Sequence, residues 1–111
     1  MLNNVVLFAK VVTDEIELRK SKSDVPVTEF RVVHTNKRAK HPLFIDVEVW
    51  GFEASKAHEN IKKGNRVIIY GELRPDVWTS KEGEKRSKIK IVADREIISE
   101  NTRTDEEPDA F

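Results

Sequence analysis

Hydrophobic and polar residues alternate along most of this chain, with the period of two that is typical of β-strands. The clearest example is residues 43–51, in which Ile45, Val47 and Val49 fall on one face. The opposite face carries Phe44, Asp46, Glu48 and Trp50. Such a segment is predicted to be a strand that buries its β-branched face and leaves the other face in contact with solvent.

Similar alternation predicts four more strands, at residues 4–12, 26–35, 66–78 and 88–98. Residues 17–20 form a short charged segment, residues 36–42 a basic connection and residues 79–85 a polar hairpin tip. After Gly51 the apolar spacing becomes helical and predicts one helix of about ten residues. Lys62 and Lys63 are predicted in its last turn, with Gly64 as its stop. Gly71, inside a strand, indicates a bend or a close backbone approach.

The order of these elements is three strands, one helix and two strands. This layout is typical of the OB-fold, and predicts a mainly β protein with a five-stranded antiparallel barrel and one short helix between strands 3 and 4. No apolar period continues past Ser99. We therefore expect one barrel domain at residues 1–100 and a disordered acidic C-terminal tail at residues 101–111.

Composition argues against several classes of function. A chain of 111 residues is long enough for one domain with a modest core. It has no cysteine, so disulfides and thiolate chemistry are excluded. His34, His41 and His58 lack metal-ligand spacing and are interpreted as surface or hydrogen-bonded residues. We expect neither an enzyme nor a cofactor or metal. The lack of a signal sequence or long apolar run predicts a soluble protein of the cytoplasm.

The net charge of zero hides an asymmetry. Residues 1–104 contain 20 Lys and Arg against 16 Asp and Glu, a net charge of +4, whereas residues 105–111 contain four acids and no base. A mildly basic body with an acidic end is compatible with binding to a polyanion. A solubilising tail on an ordinary domain is the alternative.

Three aromatic residues, Phe44, Trp50 and Trp78, are predicted to point outward from two strands. Rings on a solvated face, with cations nearby, are what single-stranded nucleic acid requires, because bases stack on rings and phosphates pair with Lys and Arg. The candidate phosphate contacts are Lys10, Arg31, Lys37, Arg38, Lys63, Arg66, Arg74, Lys88 and Lys90. The rings could instead cover a loop or a subunit contact.

The chain resembles the bacterial single-stranded DNA-binding proteins, which are homo-oligomeric OB-fold proteins. The resemblance covers residues 2 to about 98 and rests on five stretches in the same order. They include the opening strand at residues 2–7, the segment 17–19, the aromatic strand 44–51, the basic turn 62–67 and the residues from 71 to 79. The resemblance implies base stacking by Phe44, Trp50 and Trp78, and basic positions at Lys63 and Arg74.

The last residues resemble the acidic tip through which that family recruits replication and repair enzymes. The implied partner-binding residues are Asp105, Glu106, Glu107, Pro108, Asp109 and Phe111. In the family the proline and the phenylalanine of this tip are adjacent, whereas Pro108 and Phe111 are separated by two residues. Ala9 and Asp76 also depart from the family's pattern. The loop at residues 36–42 is short, and a long linker is missing. Such compactness is more typical of a phage or mobile-element member, which would act in the host cytoplasm.

These observations predict a protein that binds and protects single-stranded DNA during replication, recombination and repair, without sequence specificity. Two alternatives share the fold: a primosome-type adaptor that binds replication proteins, and a dissociable RNA-binding module. The acidic tail favours the protein that protects single-stranded DNA over the adaptor. A dimer or tetramer is expected, with the edge near Asn3 and Val6 as a pairing strand.

Overall fold

The computed structural model describes residues 1–100, except for the side chain of Glu100. The predicted acidic tail at residues 101–111, with its proposed partner-binding residues, lies outside the described part. Within residues 1–100 the chain forms seven strands and one helix. They are β1 (Val5–Val11), β2 (Leu18–Lys20), β3 (Pro26–His34), β4 (Leu43–Trp50), α1 (Phe52–Asn60), β5 (Arg66–Thr79), β6 (Lys85–Ala93) and β7 (Ile98–Glu100).

The five long strands pair in a closed circle, which is what defines a barrel. Going round, the order is β1, β3, β4, β6, β5 and back to β1. The short strands add to the outside of this circle, β2 beside β3 and β7 beside β5. The mainly β barrel with one short helix between its third and fourth long strands is therefore confirmed.

Three details differ from the prediction. The pairing of β4 with β6 is parallel, so the barrel is not antiparallel throughout. Residues 18–20 form a strand, because their backbone pairs with residues 26–28 although all three side chains are exposed. The predicted last strand at residues 88–98 begins earlier, at Lys85, and is split. Residues 94–97, of which the first three are charged, separate β6 from β7, and the backbone N–H of Asp94 donates to Tyr70 O at 3.0 Å.

The core lies inside the barrel and consists of small and β-branched side chains with one large ring. Its buried members are Ala9, Val11, Phe30, Val32, Val47, Val49, Ala54, Ala57, Ile61, Val67, Ile69 and Ile91. Buried Thr28 is satisfied, since its hydroxyl donates to Glu17 O at 2.6 Å. The alternation that predicted Val47 and Val49 as the buried positions of β4 is thus confirmed.

Helix α1 packs against β3 and β4 and buries Ala54 and Ala57. It ends at Asn60, one turn earlier than predicted. Lys62 and Lys63 lie in the turn that follows, where Gly64 has a φ of 91° and its N–H donates to Val11 O at 2.8 Å. The positive φ of Gly64 therefore allows the turn into β5, because few other residues adopt this backbone conformation.

Gly71 marks the point at which β5 changes neighbours. It faces Val5 of β1 on one side and Ala93 of β6 on the other. A Cβ atom at this position would lie 2.9 Å from the carbonyl carbon of Val92 and would overlap its oxygen. The close backbone approach predicted from the sequence is confirmed.

Candidate nucleic-acid interface

Strand register places the three predicted stacking rings on one outer face of the barrel. On β4, Phe44 and Trp50 point outward, opposite to the buried Val47 and Val49. On β5, Trp78 lies on the outer face, in register with Arg86 of β6. Phe44 is 51% exposed, and the two tryptophans are 44% exposed. The rings are therefore accessible on one surface, as stacking requires.

Four of the predicted cations share this face, which we call the ring face. Arg31 lies on β3 opposite Asp46, while Arg74 of β5 faces Lys90 of β6. Lys88 is the fourth, and it faces Asp76. Arg86, which the sequence analysis missed, also belongs here as the register partner of Trp78. Its position depends on the β5–β6 hairpin register, which residue spacing alone did not reveal.

The other predicted cations lie elsewhere. Lys37 and Arg38 are exposed in the β3–β4 connection, a turn held by Asn36 Oδ1, which accepts from Arg38 N at 2.8 Å. Lys10 and Arg66 face each other on β1 and β5. Lys63 donates to Asp14 Oδ1 in the β1–β2 connection at 2.6 Å. The structure does not join these last three to the rings. All nine phosphate contacts, including those of Lys37, Arg38 and the four cations on the ring face, stay predictions.

Carboxylates occupy the centre of the ring face and pair with its cations. Glu48 accepts the indole N–H of Trp50 at 2.9 Å and an ammonium N–H of Lys90 at 3.0 Å. The Glu48 and Lys90 side chains are only 12% and 14% exposed. This buried pair fixes the orientation of Trp50, because its indole nitrogen is held by a carboxylate that cannot easily move.

Three more cations are paired on the same face. Asp46 is contacted by both Arg31 and Lys88, and Arg74 Nη2 lies 2.8 Å from Glu72 Oε1. The sequence placed Asp46 and Glu48 beside the rings, but it could not show their partners. The lysine partners come from β6, and their proximity depends on the parallel β4–β6 pairing.

These contacts change the pKa of three groups. Burial alone would raise the pKa of Glu48, but the hydrogen bonds from Trp50 and Lys90 outweigh it and hold that pKa below its ordinary value. The pKa of Lys88 is raised because its ammonium donates to Asp46. Burial raises the pKa of Glu29, and the nearby charges of Asp46 and Glu48 raise it further. At Glu29 the cations Lys88 and Lys90 therefore offset the nearby negative charge only in part.

An open groove of about 510 Å³ runs beside Phe44, between β4 and β6. Apolar side chains form much of its wall, including Leu43, Leu73 and Ile89, and Arg31, Asp46 and Lys88 lie at its polar side. The described β4–β6 backbone pairing is limited to Val47 and Glu48 on the β4 side. The groove forms where the two strands separate beyond that pairing.

A closed five-stranded barrel with a helix before β5 defines the OB-fold class. The chain belongs to the Single-strand binding protein family, whose model matches residues 2–99. The resemblance noted from the sequence is therefore confirmed.

Curated relatives agree with this assignment. A single-stranded DNA-binding protein of Corynebacterium glutamicum is 34% identical over 100 residues, covering 82% of this chain and 44% of that protein. One of Wolinella succinogenes is 32% identical over 102 residues, covering 85% of this chain and 62% of that protein. The chain thus spans about half the length of these relatives.

A solved structure confirms the fold. The SSB domain of a Synechococcus sp. protein superposes with a TM-score of 0.68 at 22% sequence identity. The match covers 87% of this chain and 94% of the solved one.

No helix among residues 1–100 is both long and apolar enough to cross a bilayer.

Proposed function

We propose that this protein binds and protects single-stranded DNA without sequence specificity. The observation that carries the proposal is the ring face, where Phe44, Trp50 and Trp78 are half-exposed beside Arg31, Lys88 and Lys90. Bases would stack on the rings, and phosphates would pair with the cations. Duplex DNA keeps its bases stacked inside and cannot offer them to such a surface.

The family and the names of the relatives support this substrate. We infer a role in replication, recombination and repair, where single strands are exposed and need protection. Binding would be non-enzymatic. Aromatic rings do not form hydrogen bonds to the edges of bases, so every base would stack through its π face.

Fluorescence anisotropy of labelled oligonucleotides tests the proposal. Oligo-dT is expected to bind more tightly than a duplex of the same length, and its affinity is expected to fall as salt rises. Equal affinity for the two DNAs would overturn the proposal. Tighter binding of the matching ribo-oligonucleotide would favour an RNA-binding module, and no binding of any strand would favour the adaptor.

We also propose that the protein is a homo-oligomer. Val6 and Phe8 of β1 are 61% and 38% exposed, and Ile98 of β7 is 50% exposed; both strands flank β5. Strand β1 pairs with β5 along Val5–Lys10, but with β3 only at Lys10 and Val11. An apolar surface beside a strand that pairs with β3 only at its end is suited to a second copy. Sedimentation equilibrium measures this directly, and a monomer at micromolar concentration would contradict it.

The acidic residues 105–111 support a further part of the proposal, the recruitment of partner proteins. Phe111, which follows the acids of residues 105–109, offers an apolar group beside negative charge to a basic pocket. The ring face and the tail would then have separate ligands. Removing the tail should leave DNA binding intact, which an affinity measurement can check.

A further inference from the structure

Asp46 is contacted by cations from two different strands. Its Oδ1 accepts from Arg31 Nε of β3 at 3.2 Å, and its Oδ2 accepts from Lys88 Nζ of β6. We call this arrangement the Asp46 bridge. The carboxylate is only 15% exposed, whereas Arg31 and Lys88 are 52% and 42% exposed. The carboxylate is therefore held in place, while both cations can be reached from solvent.

Each of the two cations also lies over a ring that we propose to stack on bases. Arg31 Cζ is 6.0 Å from the centroid of Phe44, and Lys88 Nζ is 5.8 Å from the centroid of Trp78. A continuous chain of contacts thus runs from Phe44 through Arg31, Asp46 and Lys88 to Trp78. The bridge connects two stacking rings that belong to different strands.

A base cannot enter between such a ring and its cation without moving the cation. Stacked atoms need about 3.5 Å on each side, so a base between them requires about 7 Å. Both observed distances are shorter. A base that stacks on the covered side of either ring must therefore displace the cation from that ring, and a backbone phosphate is a suitable new partner for it.

We propose that Asp46 acts as an internal substitute for phosphate, which holds Arg31 and Lys88 against the rings until single-stranded DNA exchanges with it. The inference rests on the proposed function. Asp46 is a positioning residue here, since it acts through the two cations. The exchange costs free energy, because the hydrogen bonds from both cations to Asp46 must be broken before phosphate replaces it.

The exchange also affects the salt dependence. A cation that leaves Asp46 for a phosphate uncovers the carboxylate, which then attracts counterions again. That uptake offsets part of the counterion release that makes DNA binding sensitive to salt. The bridge therefore lowers both the affinity for single strands and the steepness of its fall with salt.

Asp46→Asn tests this inference, with Asp76→Asn as the matched control. Both changes remove one negative charge from the ring face by the same substitution, and Asp76 faces Lys88 in register. Asp76 makes no ion pair with a described residue and acts on Lys88 only through its charge, so the difference between the two variants reports the direct contacts that Asp46 makes. Affinity for oligo-dT is measured by anisotropy at several salt concentrations.

Asp46→Asn is expected to bind oligo-dT about tenfold more tightly than Asp76→Asn at low salt. Its plot of log affinity against log salt is expected to be steeper, by about 0.7 for each additional phosphate that the released cations neutralise. Equal affinities and equal slopes in the two variants would overturn the inference, and so would weaker binding by Asp46→Asn. A cooperative melting transition in each variant establishes that the comparison is between folded proteins.

The wild-type protein separates this inference from the proposed function. If wild-type protein fails to bind oligo-dT, the proposed function is wrong and the inference falls with it. If wild-type protein binds and the two variants behave alike, the proposed function stands, and only the role of Asp46 is wrong.

Discussion

Trp50 and Trp78 are equally exposed, but their environments differ. Trp50 donates its indole N–H to the buried Glu48, whereas Trp78 is approached by the ammonium group of Lys88 over its ring. Trp50 is therefore fixed before any ligand arrives. Trp78 has no hydrogen bond from its indole to another described residue, so its loss should affect binding more than folding.

We expect Trp78→Ala to weaken binding to oligo-dT by about 1–3 kcal/mol, the value of one base stacked on an aromatic ring. The melting temperature should change little, because the ring lies on the surface of the hairpin. Val77→Ala is the control, since Val77 is 60% exposed and neighbours Trp78 on the opposite face. Unchanged affinity in Trp78→Ala, or an equal loss in both variants, would contradict the stacking role.

Glu29 shows how the acids in the ring face affect stability. Its pKa is raised in the folded state, first by burial and then by Asp46 and Glu48. The charged form is thus disfavoured by folding. Neutral Glu29 fits the folded state better than charged Glu29. The folded protein is therefore most stable, with respect to this group, below the unfolded pKa of about 4.5, and it loses that stability as the pH rises through the folded pKa.

Glu29→Gln is therefore expected to raise the melting temperature at pH 7. The gain should shrink as the pH falls and disappear below about pH 4.5, where glutamic acid itself is neutral. Thermal unfolding followed by circular dichroism at several pH values measures it. Glu82→Gln, in the exposed β5–β6 turn, is the control. A gain that did not depend on pH would show that charge is not the cause.

At the level of elements, β5 does most to close the barrel. This 14-residue strand pairs with β1 through its first half and with β6 through its second half, and it changes partner at Gly71. Any side chain at Gly71 would collide with the backbone of Val92. Strand β5 can therefore pair with both β1 and β6 only if residue 71 lacks a Cβ atom.

Gly71→Ala is expected to destabilise the protein by about 1–3 kcal/mol or more, as overpacking usually does. For a domain of this size, each kcal/mol lowers the melting temperature by roughly 4–8 °C. Denaturant unfolding gives the free energy directly. An unchanged midpoint would mean that β5 and β6 can separate at this point without cost.

The elements that the sequence predicted correctly are those whose side chains alternate. Val47 and Val49 marked the buried face of β4, and the apolar positions of β5 marked its inner side. Strand β2 was missed because its exposed side chains carry no such pattern and its pairing with β3 is made by the backbone. The parallel β4–β6 pairing was missed for a related reason. Residues far apart in the sequence meet there, and no local pattern records that pairing.

The same limit explains what was predicted of the candidate site. The outward position of Phe44, Trp50 and Trp78 follows from alternation within single strands. The pairing of Asp46 with Lys88, and of Glu48 with Lys90, depends on β4 lying beside β6. The sequence therefore predicted the rings, most of the cations and two carboxylates on the ring face, but not which carboxylate pairs with which cation.

For the whole molecule, the separation of charge along the chain is the important feature. Residues 1–104 carry a net charge of +4, and residues 105–111 carry four acids. An acidic segment tethered to a basic binding surface competes with phosphates for its cations. We therefore expect residues 105–111 to lower the affinity for DNA.

Removing residues 105–111 should leave the affinity for oligo-dT equal or higher, with the larger gain at low salt, where charge is less screened. Anisotropy of the truncated and full-length proteins measures the difference. A variant in which the four acids are replaced by Asn and Gln keeps the length and separates charge from truncation. A clear loss of DNA affinity in either variant would contradict the assignment of the tail to protein partners.

The central claim is that bases of a single strand stack on the rings of the ring face. The most direct test is tryptophan fluorescence, because the chain has only Trp50 and Trp78 and both lie on that face. Titration with oligo-dT should quench the emission strongly, duplex DNA should quench it weakly, and added salt should reverse the effect. Equal quenching by both DNAs, or none by oligo-dT under conditions in which it binds, would contradict the claim.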